Sequence, residues 1–326
     1  MNKRNLILGA SILLAALIVV LFERDLPAAE VDAKYSNAAS RFVTAASGAR
    51  IHYRDQGRRD GLPVVLIHGS SASLHTWEPW VAILGADYRL ITLDLPAHGL
   101  TGRVAGDDYS TAAYIGAIDT VLGELGIERF VLGGNSMGGG VTWRYALQQH
   151  GRVLAMLLID ASGPASWRRE SLAVGADEEE RSGPVAFRLL RQPWFRGLAR
   201  WLDPYPLAAQ GARASYNDSP VVTDALIDRY YELTMREGGR AATLARFAQI
   251  RGDEEDVDLG ELTQPALVMW GAQDALISVA FADRFEATLA NARKVIYPEL
   301  GHIPMEEDPA RSAADVRAFL EALAPH

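Results

Sequence analysis

The chain has 326 residues, of which 49% are hydrophobic and 22% charged, a balance that predicts a globular protein with a sizeable core. Its formal net charge of −9 argues against a partner with a phosphate backbone, so we expect no nucleic acid. The chain has no cysteine, which excludes disulfides, thiolate metal sites and a cysteine nucleophile.

The N-terminal 25 residues predict a membrane anchor. The basic residues of MNKR precede residues 6–22, which are uncharged and almost wholly apolar. About 17 such residues are at the short end of what crosses a bilayer. Basic residues before the segment predict a cytoplasmic N-terminus. We therefore expect residues 1–25 to form a transmembrane helix, with the remainder on the non-cytoplasmic side, periplasmic or extracellular.

A cleaved signal peptide is the alternative interpretation of the same segment, and it would give a secreted protein. Cleavage needs small residues shortly after the apolar stretch. Here three charged residues come next, and the first small pair, Ala28-Ala29, follows Pro27. The uncleaved anchor is therefore favoured, and residues 26–47 are expected to form a tether.

Residues 48–162 and 259–326 alternate short apolar runs with helical patterns. Such alternation indicates βαβ units, hence an α/β core with a mostly parallel central sheet and helices on both faces. Residues 163–258 interrupt the pattern with helical segments that carry Arg and Trp and contain no convincing strand. They predict a helical cap inserted between two strands. The predicted strands are PVVLIHG, YRLITLD, ERFVLGG, VLAMLLID, PALVMWG and RKVIYP.

The stretch VLGGNSMGGG, residues 131–140, places a single serine among glycines. Gly134-Asn135-Ser136-Met137-Gly138 fits the G-x-S-x-G nucleophile elbow and lies between a predicted strand and a predicted helix. The glycines allow the tight reversal that would expose the Ser136 hydroxyl at the carboxyl edge of the sheet. The alternative is a turn whose serine only caps the helix. A phosphate-binding loop is excluded because its Lys-Ser/Thr pair is missing.

A serine nucleophile needs a base and a third group that orients the base. Each is expected just after a later strand, first the acid and then the histidine. Asp274 follows PALVMWG and His302 follows RKVIYP, so we predict a triad of Ser136, His302 and Asp274. Asp160, which ends VLAMLLID, is the alternative acid. The other histidines form no metal-ligand spacing, so we expect no metal. Acyl transfer by such a triad needs no cofactor, so we expect none.

Two backbone N–H groups are predicted to form an oxyanion hole beside that serine. One belongs to Met137, directly after the nucleophile, where the start of a helix favours negative charge. The other belongs to Ser70, in the loop after PVVLIHG, with Ser71 as the near alternative. His68 is expected to brace this loop.

From about residue 48 to its end, the chain resembles the α/β-hydrolase fold family. The segments HGSSASLHTWEPW, DLPAHGLTG, GNSMGG, WGAQD and GHIPMEEDP occur in that family's order and approximate spacing. The resemblance implies the triad named above and makes residues 163–258 the lid over the site. GNSMGG is similar to the group that contains esterases, lipases and the hydrolases that cleave carbon–carbon bonds of ring-fission products.

Two departures from the carbon–carbon bond hydrolases favour ester cleavage. Those enzymes usually carry a Gly-Pro-Gly-type loop where this chain has Ser70-Ser71-Ala72, and a tryptophan where it has Ile303. Dehalogenase and epoxide-hydrolase relatives use an aspartate nucleophile, whereas this chain has Ser136. We therefore expect a small-molecule ester substrate with an apolar acyl group. A carbon–carbon bond hydrolase, a lactonase, an aminopeptidase and a non-catalytic small-molecule receptor stay open as alternatives.

The predicted cap carries arginines and aromatic residues together in residues 187–206. The pattern has two interpretations. One is an amphipathic surface that rests on lipid headgroups beside the anchor. The other, which we favour, is that the aromatics pack the cap against the core while the arginines face water. The sequence leaves the oligomeric state open.

Overall fold

One eight-stranded sheet forms the centre of the computed structural model, which describes residues 23–167, 185–190, 192–249 and 257–323. The strands lie in the order β1-β2-β4-β3-β5-β6-β7-β8. The pairs β1–β2 and β2–β4 are antiparallel, and the remaining pairs are parallel. The mostly parallel α/β core predicted from the sequence is thus confirmed. The strands are β1 (Ser40–Thr44), β2 (Arg50–Gly57), β3 (Pro63–Ile67), β4 (Arg89–Leu93), β5 (Phe130–Asn135), β6 (Val153–Ile159), β7 (Ala266–Gly271) and β8 (Ala292–Tyr297).

Helices cover both faces of this sheet. The helices are α1 (Ala28–Tyr35), α2 (Glu78–Leu84), α3 (Thr111–Leu125), α4 (Met137–Gln148), α5 (Val185–Leu190), α6 (Pro193–Ala199), α7 (Tyr205–Ser215), α8 (Asp224–Met235), α9 (Gly239–Gln249), α10 (Ala280–Thr288), α11 (Pro304–Glu307) and α12 (Pro309–Ala322). On β3, Val65 and Ile67 pack in one hydrophobic cluster with α3, α4 and α10, while Val64 and Leu66 pack in a second cluster with α2 and α12. Both faces of a central strand are therefore buried, which explains its continuous apolar sequence.

The ends of α3 illustrate how local sequence sets an element's limits. The Ser110 hydroxyl accepts a hydrogen bond from the Ala113 N–H and so satisfies one unpaired donor of the first turn. Gly126 ends the helix with a φ of 64°, a left-handed conformation that glycine adopts without steric cost. The helix is therefore limited to the stretch that packs on the sheet.

The cap comprises helices α5–α9, which lie in sequence between β6 and β7. Trp194 and Trp201 are 62% and 53% exposed, whereas Phe195 between them is buried. Of these three aromatic side chains, two thus lie on the outer surface and one lies in the interior of the cap. Packing alone does not account for the two exposed tryptophans.

Residues 26–47, predicted from the sequence as a tether, contain α1 and the edge strand β1. β1 pairs along its whole length with β2, from Ser40 opposite Arg54 to Thr44 opposite Arg50. These elements carried little sequence signal. β1 has five residues, none of them buried, and α1 buries one side chain, that of Val31.

The residues just before α1 bind the cap. The Leu26 N–H donates to the Met235 carbonyl at 2.7 Å, and the Glu237 N–H donates to the Leu26 carbonyl at 2.8 Å. The Asp25 carboxylate lies 2.8 Å from the Arg240 guanidinium. The start of the described chain is therefore joined to α8 and α9.

The structure corrects the expectation of an N-terminal transmembrane helix. In the part of the chain that the structure describes, no helix is both long and apolar enough to cross a membrane. Residues 1–22, on which that expectation was based, lie outside the described residues. The membrane anchor at residues 1–25, the non-cytoplasmic placement and the secreted alternative are therefore not retained.

Candidate active site

Ser136 forms a strained turn between β5 and α4. Its φ of 55° and ψ of −118° lie outside the regions that residues with a side chain favour. Two backbone hydrogen bonds of 2.9 Å hold this conformation, one from the Ser136 N–H to the Ile159 carbonyl and one from the Ser162 N–H to the Ser136 carbonyl. The Ser136 side chain makes no capping hydrogen bond to α4. Its hydroxyl is therefore not used to cap the helix.

The glycines beside Ser136 are required by close packing. A Cβ on Gly134 would lie 2.2 Å from the carbonyl carbon of Gly138, and a Cβ on Gly138 would lie 2.3 Å from the carbonyl oxygen of Ile67. Both distances are far below van der Waals contact. The strand, the turn and the helix can approach one another only where these side chains are absent.

His302 and Asp274 are directly hydrogen-bonded. Asp274 follows β7, His302 follows β8, and the Asp274 Oδ2 lies 2.6 Å from the His302 Nδ1. The Asp274 Oδ1 accepts from the Leu276 and Ile277 N–H groups at 2.7 and 3.1 Å, which fixes the carboxylate. Because a carboxylate only accepts, the proton lies on Nδ1 and leaves Nε2 able to act as a base.

Asp160, the alternative acid, lies behind Asp274 and does not bond His302. Its Oδ1 accepts from the Gly271 N–H at 3.0 Å, and its Oδ2 has no hydrogen-bond partner in the described chain. Burial, followed by the neighbouring charge of Asp274, raises the pKa of the Asp160 carboxyl well above its usual range. Its surroundings therefore favour the protonated form of Asp160.

Potential metal ligands come together only at these residues within the described ranges. Ligand atoms of Asp160, Asp274 and His302 lie within 4.8 Å of one another. The three side chains already bond to each other or to backbone N–H groups: His302 Nδ1 to Asp274, Asp274 Oδ1 to two amides and Asp160 Oδ1 to one. This donor set fits a hydrogen-bonded acid–base chain better than a metal centre.

Glu307 holds the loop that carries His302. Its Oε2 accepts from the Gly301 N–H at 2.9 Å and its Oε1 from the Ile303 N–H at 3.0 Å, one residue on either side of the histidine. The loop is thus fixed by one carboxylate. The role of Glu307 was not predicted from the sequence. Its position in the segment GHIPMEEDP, close to His302, is the feature that could have indicated it.

The backbone of His302 connects the cap to the serine turn. Its N–H donates to the Ser215 carbonyl at the end of α7, at 2.7 Å. Its carbonyl accepts from the Asn135 side-chain amide at 2.9 Å. Neither partner was predicted, because each lies far from His302 in the sequence. Asn135 precedes the nucleophile, so the same turn positions both Ser136 and its candidate base.

The loop after β3 lies against the serine turn. Ser71 has a φ of 60°, and a Cβ on Gly69 would lie 2.7 Å from the Asn135 Oδ1. His68 braces the loop: its Nδ1 bonds the Gly69 carbonyl at 2.8 Å, and its Nε2 accepts from the Leu95 N–H at 3.1 Å. Burial lowers the pKa of His68, consistent with a neutral imidazole that donates once and accepts once.

The two predicted oxyanion donors flank this position. Ser70 lies in the loop and lines a cavity that Ser136 and His302 also line. Met137 is the first residue of α4, where an N–H has no acceptor within the helix. The structure therefore places the predicted loop and the predicted helix start beside the serine: a Cβ on Gly69 would lie 3.3 Å from the Ser136 Cβ, and Met137 follows Ser136 directly.

A cavity of about 400 Å³ opens above Ser136 and His302. The sheet supplies its floor, and the cap supplies most of its walls, which are largely apolar. Arg240 is a cation in the wall. It bonds the Leu202 and Glu23 carbonyls and lies 2.8 Å from Asp25. Apolar wall residues from the cap are Leu189, Leu190, Phe195, Ala199, Leu202, Pro204, Pro206, Leu207, Ala208, Ala212 and Leu244.

Comparison with known proteins places the chain in a family. The profile of the alpha/beta hydrolase fold matches residues 63–309, more than half of the chain. A non-heme chloroperoxidase of Streptomyces lividans is 30% identical over 288 residues, covering 86% of this chain and 99% of the relative. The 2-hydroxymuconate semialdehyde hydrolase of Pseudomonas sp. (strain CF600) is 26% identical over 285 residues, covering 84% and 92%.

A solved structure gives the same result. The esterase from Rhodococcus sp. ECU1013 is similar to this chain with a TM-score of 0.69 and 26% identity, covering 88% of this chain and 100% of the esterase. The turn that carries Ser136 between a strand and a helix, the order of the strands and these relatives all indicate the same fold family. The chain therefore belongs to the α/β-hydrolase fold family of enzymes.

Proposed function

We propose that the protein is a serine hydrolase that cleaves small carboxylic esters with an apolar acyl group. The observation that carries the proposal is the cavity: it ends on Ser136 and His302, and the His302 ring is hydrogen-bonded to Asp274 at 2.6 Å. Ser136 is the nucleophile, His302 the general base, and Asp274 the acid that orients it. The mechanism requires no cofactor.

The first step forms an acyl-enzyme. The His302 Nε2 takes the Ser136 hydroxyl proton while Oγ attacks the ester carbonyl carbon. The carbonyl oxygen becomes an oxyanion, held by the Ser70 and Met137 N–H groups. Asp274 stabilises the imidazolium through Nδ1. The tetrahedral intermediate then expels the alkoxide, which leaves as the alcohol with the proton from His302.

The second step releases the acid. Water enters the position of the departed alcohol and gives a proton to His302 while its oxygen attacks the acyl carbon. The same N–H groups stabilise the second oxyanion. Collapse of this intermediate breaks the bond to Ser136, returns the proton to its Oγ and frees the carboxylic acid.

The composition of the cavity wall supports the proposal that the acyl group of the substrate is uncharged. Most of its cap residues are aliphatic, aromatic or proline side chains. The Arg240 cation is already occupied by Asp25 and two backbone carbonyls. A substrate with a free carboxylate would compete with these contacts, whereas an apolar acyl chain gains by leaving water.

The similar proteins include both an esterase and a 2-hydroxymuconate semialdehyde hydrolase. The same Ser–His–Asp arrangement can serve carbon–carbon bond hydrolysis, so this reaction is the second candidate. The oxyanion loop sequence Ser70-Ser71-Ala72 and Ile303 after the histidine favour ester cleavage.

The test is turnover of p-nitrophenyl esters from acetate to dodecanoate by the full chain, with Ser136→Ala and the exposed Ser47→Ala in parallel. We expect hydrolysis by the wild type and by Ser47→Ala. Ser136→Ala should lose about 10⁴-fold or more in kcat, since removing a catalytic serine usually costs at least this much. Cleavage of vinylogous diketone acids with no ester turnover would replace the proposal with carbon–carbon hydrolysis. Tight ligand binding without any turnover would indicate a receptor.

A further inference from the structure

Arg246 is a buried cation that touches both residues of the proposed oxyanion hole. It lies on cap helix α9 and is 3% exposed. Its Nη2 donates to the Ser70 Oγ at 2.6 Å, and its Nη1 donates to the Met137 Sδ at 3.6 Å. One side chain from the cap thus reaches below the cavity to the loop after β3 and to the start of α4.

Among the described residues, no carboxylate forms an ion pair with Arg246. Its Nε has no hydrogen-bond partner there. The other neighbours are the Tyr114 phenol and the Phe247 ring, whose centroid lies 4.4 Å from the guanidinium carbon. Burial lowers the pKa of Arg246, yet arginine stays protonated in proteins. Burying a charge that lacks an ionised partner among the described residues is costly, so a negative charge nearby would be favoured.

The bond to Arg246 also determines what the Ser70 hydroxyl can do. A hydroxyl has one proton to donate and lone pairs that accept. Because the Ser70 Oγ accepts from a guanidinium, its own proton is free to point elsewhere. Ser70 lines the cavity, whereas Arg246 does not. The cation can therefore act on a substrate through the Ser70 O–H, which becomes a stronger donor when its oxygen is polarised.

We propose that the Ser70 hydroxyl is a third donor of the oxyanion hole and that Arg246 polarises and positions it. The inference rests on the proposed serine hydrolase mechanism. As the carbonyl oxygen gains charge, the Ser70 O–H joins the two backbone N–H groups in donating to it, and the Arg246 charge stands directly behind. Ser70 is then a catalytic residue through its side chain, and Arg246 is a positioning residue.

The first test separates the hydroxyl from the backbone of Ser70. Ser70→Ala keeps the N–H and removes the hydroxyl, so kcat on p-nitrophenyl butyrate should fall about 10- to 100-fold, near the lower range for a direct donor. KM should change less than about threefold, because the contact strengthens as charge develops. Ser70→Thr keeps the hydroxyl and should retain most of the activity. Equal activity of Ser70→Ala and wild type, or equal loss in both variants, would overturn the proposal.

The second test asks whether Arg246 acts through that hydroxyl. Arg246→Met should lower kcat about tenfold, and Arg246→Lys should recover part of the loss. In the double variant with Ser70→Ala, the second change should add little, because the polarised group is already gone. Losses that simply multiply would overturn the link between the two residues. Arg103→Met, which removes a cation that is 54% exposed, serves as the charge control and should match wild type.

A third measurement does not depend on ester turnover. An alkyl fluorophosphonate reacts when the Ser136 Oγ bonds to phosphorus and fluoride leaves, while the serine proton passes to His302. We expect slower labelling in Ser70→Ala and Arg246→Met than in wild type. Slower labelling without wild-type ester turnover would reject the ester substrate and keep this inference. Normal labelling of both variants beside active ester turnover would reject the inference alone. A wild type inert to esters and fluorophosphonate would reject both.

Discussion

The sheet and the cap differ in how they contribute to the site. The sheet supplies Ser136, Asp274 and His302, each in the turn or loop that follows a strand. The cap supplies most of the cavity wall, the carbonyl that holds the His302 N–H, and Arg246. We therefore expect residues that follow the sheet strands to determine which reaction occurs and cap residues to determine which substrates fit. Arg246 is the exception, because this cap residue contacts Ser70 and Met137, the two proposed oxyanion donors.

The largest effect is expected from the two buried acids that follow sheet strands, Asp274 and Asp160. Asp274→Asn should lower kcat about 10⁴-fold, because an amide cannot hold the His302 tautomer and stabilise its charge. Asp160→Asn should change kcat less than about threefold, since the raised pKa of Asp160 favours its neutral form and an amide oxygen can replace its Oδ1 as the acceptor of the Gly271 N–H.

The measurement is kcat on p-nitrophenyl butyrate, with far-UV circular dichroism to verify folding. Each variant is the matched control of the other, because both replace a buried carboxyl with an amide of the same shape. A larger loss in Asp160→Asn than in Asp274→Asn would assign the acid to the end of β6 instead of the end of β7.

A smaller effect, confined to substrate choice, is expected from the cap. Leu207 lines the cavity, so Leu207→Trp should lower kcat/KM for long acyl chains about tenfold relative to acetate. Leu198→Trp makes the same change on a cap residue that is 53% exposed, and its chain-length profile should equal that of wild type. A uniform loss across all esters in Leu207→Trp would mean that the cap affects the reaction itself.

The smallest effect concerns stability and pH. The folded-state pKa of Asp160 is raised, so the folded chain keeps a proton that the unfolded chain releases above about pH 4. The free energy of unfolding must then fall as pH rises from that value toward the folded-state pKa. Asp160→Asn cannot ionise, so it should become more stable relative to wild type as pH rises.

Urea denaturation of both proteins at acidic and at mildly alkaline pH measures this difference. Asp218→Asn, on an exposed cap residue, serves as the control and should show the wild-type pH dependence. Parallel pH profiles of Asp160→Asn and wild type would show that Asp160 is ionised in the folded protein.

The sequence predicted the sheet well because its central strands are buried on both faces and read as uninterrupted apolar runs. It predicted the Ser136 turn because the glycines there are required by contacts shorter than any Cβ permits. It favoured Asp274 as the acid and kept Asp160 as the alternative, because each follows a strand. In the structure, the Asp274 Oδ2 lies 2.6 Å from the His302 Nδ1, whereas the Asp160 Oδ1 accepts from a backbone N–H.

The remaining errors and omissions also have physical causes. β1 and α1 were taken for a tether because they bury almost no side chains. The contact between Arg246 and Ser70 was not predicted, because the two residues lie 176 positions apart. The cap contains many arginines, and nothing in the sequence separates Arg246 from the others. The transmembrane helix was inferred from an apolar stretch and the charges around it, and the described part of the chain contains no helix long and apolar enough to cross a membrane.

The contacts of residues 23–26 have a practical consequence for anyone who shortens this protein. A cut near residue 30 looks harmless on the sequence, but it would remove the Asp25 partner of Arg240 and both Leu26 hydrogen bonds to the cap. Arg240 and Arg246 share helix α9, so loosening one end of that helix would disturb the other. Kinetic constants from such a truncated enzyme would describe a relaxed lid, and its specificity could be mistaken for that of the intact protein.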